Sequence, residues 1–146
     1  MSKAFTKDDQ PDEPVVVHHR PSLPEGVPNY VTPRGLDALR AVLATTQPGP
    51  RHTELEQHIA SAIVAPPLAD HDEIRFGAHV TLRTADGHVR EVQIVGVDEA
   101  DPASGLVAFV APLARALLGR RIGDQVMLRA PGGGEALEVV ALSYDA

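Results

Sequence analysis

The sequence predicts an α+β fold: a short N-terminal antiparallel helical hairpin followed by an antiparallel β-sheet domain with one packed helix. Apolar residues fall at helical spacing between Thr32 and Ile63, and from Phe76 onward the period drops to two. Clusters of proline and glycine punctuate both parts where chain reversals are needed. Three segments follow: residues 1–28 as a flexible arm, 29–70 as the hairpin and 71–146 as the sheet domain.

The arm holds Pro11, Pro14, Pro21, Pro24 and Pro28 among scattered charges. Proline fixes φ and removes a backbone donor, so extended or disordered chain is expected there. Thr32-Pro33 is a helix-start signal, a capping hydroxyl before a proline in the first turn. Leu36, Leu39, Val42 and Leu43 then share one face, and Gln47-Pro48-Gly49-Pro50 ends the helix. Thr53 with Glu56 reads as a capping box that opens the second helix. Its apolar positions are Leu55, Ile59, Ala62 and Ile63, and Pro66-Pro67 stops it. In the sheet domain, Ala78, Val80 and Leu82 alternate with polar residues up to the hairpin signal Asp86-Gly87. Val89 to Val97 is the return strand and Leu106 to Val110 a third. Pro112 opens a helix closed by Gly119. Gln125 to Ala130 and Ala136 to Tyr144 complete the order β-β-β-α-β-β.

Composition narrows the function. Thirteen Lys and Arg against twenty Asp and Glu give a net charge of −7. Phosphate binding depends on clustered cations, so a protein partner is expected and nucleic acid only indirectly, presented by that protein. The absence of cysteine removes disulfides, thiolate nucleophiles and Cys-ligated zinc. The polar start does not resemble a signal peptide, and no apolar run approaches the roughly 20 residues that span a bilayer. A cytoplasmic protein is expected.

Several segments together resemble one family. Phe76-Gly77-Ala78, the run Ile94 to Asp101, the run Pro112 to Gly119, Gly123-Asp124-Gln125-Val126 and Pro131-Gly132-Gly133 stand in the order found in the C-terminal domain of the GreA/GreB transcript-cleavage factors. Tyr30-Val31-Thr32-Pro33 with Gly35 and Leu39 is similar to the first coiled-coil helix of GreB-type sequences. The resemblance implies an FKBP-like sheet domain and RNA polymerase as the partner. In that family a long helical hairpin carries an acidic tip into the polymerase secondary channel, where the carboxylates help to hold a second Mg²⁺ for RNA cleavage. Here the corresponding stretch, Thr45 to His52, contains no acidic residue. A first helix of about 12 residues rises only about 18 Å. Metal-assisted cleavage needs carboxylates delivered within coordination distance. A non-catalytic regulator is therefore expected, docking beside the channel entrance. The truncated hairpin is also similar to regulators of nucleoside diphosphate kinase, the alternative partner. Peptidyl-prolyl isomerase activity, which the FKBP-like fold suggests, lacks an aromatic-lined pocket in this sequence, and fold alone does not carry function.

The resemblance places the partner contact at Asp98, Glu99, Asp101, Ala111, Pro112, Leu113 and Arg115. Each has an ordinary structural role as well: Asp98 to Asp101 as a solvated turn, Pro112 as a helix start, Arg115 as an exposed helix residue. The seven histidines show no zinc-ligand spacing, His52 and His58 falling on different helical faces. Gly132-Gly133-Gly134 lacks the GK[ST] and following helix of a phosphate cradle. No metal, cofactor or catalytic residue is expected. Arg34, Arg40 and Arg51 dress the hairpin without interleaved aromatics for base stacking.

Overall fold

A computed structural model describes residues 20–66, 71–130 and 133–145. Most of the expected arm, the Pro67 stop and the Pro131-Gly132 turn lie outside the described residues. The element order is β1 (Asn29–Val31), α1 (Pro33–Thr45), α2 (Pro50–Ser61), β2 (Ala62–Val64), β3 (His79–Thr84), β4 (Val89–Val95), β5 (Leu106–Ala108), α3 (Pro112–Leu117), β6 (Gln125–Ala130) and β7 (Gly133–Ser143). No helix among the described residues is long and apolar enough to cross a membrane.

Five strands form one sheet in the order β5-β4-β3-β7-β6. The Asp86-Gly87 turn joins β3 to β4 in antiparallel register, with Gly87 at a φ of 91°. The Asp86 carboxylate there is held below its usual range by the Thr84 hydroxyl first and by His88 second. The sheet is mixed, which corrects the expectation of a purely antiparallel one. β5 runs parallel to β4, pairing Gln93 with Leu106 and Val95 with Ala108. A tight hairpin cannot make that connection; the longer loop 96–105 brings the chain back alongside the second half of β4, at Gln93. Gly105 makes the turn possible. Its φ is 81° and a Cβ there would lie 2.7 Å from the Glu91 carbonyl oxygen.

Alternating apolar residues place Val80, Leu82, Val92, Ile94, Leu137 and Val139 on one face, where Leu113, Ala114 and Leu117 of α3 close the core. This core is aliphatic, as the low aromatic content requires.

Two further corrections concern the N-terminal part. α2 begins at Pro50 with Gly49 as its cap, one turn before the Thr53-Glu56 box. Proline is pre-organised for the first helical position and its missing N–H costs nothing there, so the helix starts earlier. α2 also stops at Ser61. Ala62, Ile63 and Val64 leave the helix and pair in parallel with β1, Asn29 opposite Ala62 and Val31 opposite Val64. The β-branched pair Ile63-Val64 suits extended chain better than a last helical turn.

Candidate functional site

The loop that follows β4 is where the N-terminal elements meet the sheet. Thr32 caps α1, its Oγ1 accepting from the Gly35 N–H at 2.9 Å, and donates to Glu99 Oε1 at 2.5 Å. Arg34 reaches Gln93 Oε1 at 3.3 Å and comes within 3.9 Å of Glu99 Oε2. One residue earlier, Asp98 Oδ1 accepts from Arg20 Nε at 2.8 Å. His58 Nδ1 of α2 lies 2.9 Å from that same oxygen, approaching off the hydrogen-bond direction. The Asp98 and Glu99 side chains are only 10% and 12% exposed. Buried carboxylates persist where such partners are supplied.

Two glycines let the parts approach this closely. A Cβ on Gly35 would stand 2.6 Å from Glu99 Oε1, and one on Gly96 would collide with the Tyr30 carbonyl oxygen. Tyr30 then packs its ring 5.9 Å from Phe76 and 5.8 Å from Phe109, an aromatic trio across the junction. Sequence reasoning missed both the clasp and the trio. The pairing of residues more than 30 apart in sequence leaves no periodic signal.

The expected contact residues therefore divide. Asp98 and Glu99 face the helices, beside a groove of about 590 Å³ that Leu39, Leu55 and Ala100 also line. The others lie beyond Ala100. Asp101 is exposed, takes the Ser104 hydroxyl at 2.8 Å and braces the loop through backbone bonds to Leu106. Pro112 and Arg115 are exposed, Ala111 is half-buried and Leu113 is in the core. Ala111, Pro112 and Leu113 border a second depression of about 540 Å³, with an aliphatic floor of Val107 and Leu128.

At the far end, Thr45 and Thr46 turn their hydroxyls back onto the Val42 carbonyl, and Arg51 pairs with Glu54 at 2.7 Å. His52 lies 3.3 Å from Glu56. Residues 45–52 thus offer hydroxyls, prolines and a guanidinium, and the nearest carboxylates, Glu54 and Glu56, stand on α2 beside Arg51 and His52.

Residues 69–144 match the family described as transcription elongation factor GreA/GreB, C-terminal. A transcription elongation factor GreB of Neisseria meningitidis is 41% identical over 86 residues, covering 58% of this chain and 53% of that protein. A transcription elongation factor GreA of Acidiphilium cryptum is 40% identical over 97 residues, covering 64% of this chain and 61% of that protein. The chain thus spans about half to three fifths of the length of these relatives. A solved GreA/GreB factor from Nitrosomonas europaea aligns over 79% of this chain and 97% of its own, at 24% identity and a TM-score of 0.47.

Proposed function

The chain belongs to the GreA/GreB family of transcription elongation factors through its C-terminal domain, and from that premise we propose a non-catalytic member. It docks on RNA polymerase near the secondary-channel entrance and modulates elongation by occupancy. The observation that carries the non-catalytic half is the junction between α1 and α2. Residues 45–52 offer no carboxylate, and the helices have 13 and 12 residues, a reach of about 20 Å. Holding a catalytic Mg²⁺ requires carboxylates at that end, at coordination distance.

We read α1 and α2 as a truncated antiparallel hairpin, the 29–70 unit, mounted on a 71–146 docking domain, with residues 1–28 as an arm. The docking half of the proposal rests on Asp101 in the loop after β4 and on Ala111, Pro112 and Arg115 at α3, of which Asp101, Pro112 and Arg115 are exposed. Leu113 supports that surface from beneath. Asp98 and Glu99 serve it indirectly, by fixing the helices against the sheet.

Two measurements with purified core polymerase test the reading. Biolayer interferometry is expected to give a dissociation constant in the low micromolar range or tighter, about −8 kcal/mol. On a backtracked complex the protein is expected to leave RNA cleavage at its intrinsic rate. Accelerated cleavage sinks the non-catalytic assignment. Absence of a complex at tens of micromolar sinks the docking assignment, and capture of a nucleoside diphosphate kinase instead transfers it to the alternative partner.

A further inference from the structure

The acids that line the groove beside α1 and α2 are not all held alike. Glu54 is paired with Arg51 at 2.7 Å, and Glu99 takes the Thr32 hydroxyl with Arg34 nearby. Asp98 has two neighbours for one oxygen. Arg20 forks onto the carboxylate, with Nε 2.8 Å from Oδ1 and Nη2 3.5 Å from Oδ2. His58 Nδ1 stands 2.9 Å from the same Oδ1, yet it is buried and makes no hydrogen bond among the described residues. The distance suits a bond and the direction does not, so the carboxylate orientation that serves the fork leaves the ring unserved. The His58 backbone is held in place, its carbonyl accepting from Asn29 Nδ2 at 3.2 Å and from the Ser61 hydroxyl at 3.1 Å. Asn29 Oδ1 is a second buried polar atom without a partner at this junction. Buried polar atoms are nearly always bonded, so two at one junction mark a place where the resting arrangement leaves bonds unmade.

We propose that Asp98 is an exchange point, held by Arg20 at rest and passed to His58 when Arg20 leaves. A charged fork outcompetes a neutral ring, which makes the Arg20 pairing the resting state. Arg20 is nonetheless a third exposed, whereas His58 and Asp98 are only 17% and 10% exposed. Departure of the guanidinium alone would strand a largely buried carboxylate, which is strongly unfavourable. With His58 beside it, a small rotation of carboxylate and imidazole brings an Nδ1–H into line, and the carboxylate keeps a donor. Among the described residues, segment 20–28 makes its one ion pair through Arg20. That segment can therefore detach while α2 stays fastened to the loop after β4. Such a latch frees the entry of the chain without opening the groove that Leu39 and Leu55 line. The inference requires neither the polymerase nor the kinase as partner.

Hydrogen exchange of the α2 amides in a double-mutant cycle on the full chain tests this. Arg20→Met and His58→Leu each remove a donor while keeping its bulk. Each single substitution is expected to accelerate exchange by no more than ~3-fold, because the other donor remains, and the two together by ~30-fold or more. Amides of β3 and β7 report in the same samples whether the sheet stays folded. Effects that simply multiply overturn the proposal, as does a single substitution that reaches the rate of the double. The imidazole gives an independent reading that needs only the Arg20→Met chain. At about pH 8, where a free imidazole is neutral, nitrogen-15 shifts distinguish its two tautomers. The Nδ1–H form of His58 is expected to be ~3-fold or more enriched in Arg20→Met over the wild type. An unchanged tautomer ratio overturns the proposal even where the double substitution unfolds the chain.

Discussion

The sheet domain and the helical element above it hold their shapes by different means. The sheet domain buries a continuous aliphatic cluster that runs from Ile74 to Val139. The helical element buries only Gly35 and Leu39 from α1 and Leu55 from α2. Helices of 13 and 12 residues are marginal alone in water. The helical element therefore borrows its order from the sheet, through Tyr30, Thr32 and Arg34 on one side and Asp98 and Glu99 on the other. The lesson concerns the acidic loop: Asp98 and Glu99, which the sequence suggests are solvated, are engaged within the chain by Arg20, Thr32 and Arg34.

The comparison breaks most sharply in the sheet. Leu82 is fully buried between β4 and β7. Leu82→Ala is expected to cost about 3 kcal/mol through lost burial and the residual cavity. Because the helices depend on the sheet, both parts should lose stability together. A single denaturation transition at lower denaturant, seen alike by circular dichroism and by Tyr30 or Tyr144 fluorescence, checks this. Helices that outlast the sheet would contradict the dependence.

The second substitution separates the two regions. Gly96 lies against the Tyr30 backbone with no room for a Cβ. Gly96→Val should force β1 off the sheet and cost roughly 1–3 kcal/mol, the usual range for overpacking. Hydrogen exchange is expected to accelerate across α1 and α2 while amides of β3 and β7 stay protected. Uniform acceleration in both regions would mean that Gly96 supports the sheet itself.

How legible this was follows from the kind of interaction. Period-two patterns and the Asp86-Gly87 turn exposed β3, β4 and their register, because every residue of a half-buried strand reports its face. Pro112 and Gly119 bracketed α3 for local steric reasons. The short apolar run of β5 predicts a strand but carries no sign of its direction, which the loop 96–105 sets parallel to β4. β1 and β2 were missed because three-residue strands are too short for periodicity. Of the expected contact residues, Pro112 and Arg115 are exposed and Ala111 is half-buried. Asp98 and Glu99 are largely buried, and no sequence pattern announces it because their neighbours Arg20, Thr32 and His58 are distant in sequence.

The smallest effect is also the most discriminating about the fastening. Thr32 performs two tasks, capping α1 and donating to Glu99. Thr32→Ala removes both and is expected to cost about 1 kcal/mol, the typical loss for a cap. Thr32→Ser keeps the oxygen and should recover most of it. Glu99→Gln keeps an acceptor for Thr32 but removes the charge facing Arg34, 3.9 Å away and largely exposed. If the hydrogen bond dominates, Glu99→Gln should cost well under half of Thr32→Ala, since an exposed guanidinium contributes little through charge alone. Exchange rates of the Gly35 and Leu36 amides under added salt then separate the two contributions. A cap is indifferent to salt, whereas a charge pair weakens. Salt-insensitive loss confined to the first turn of α1 would identify the cap as the fastening and Arg34 as its bystander.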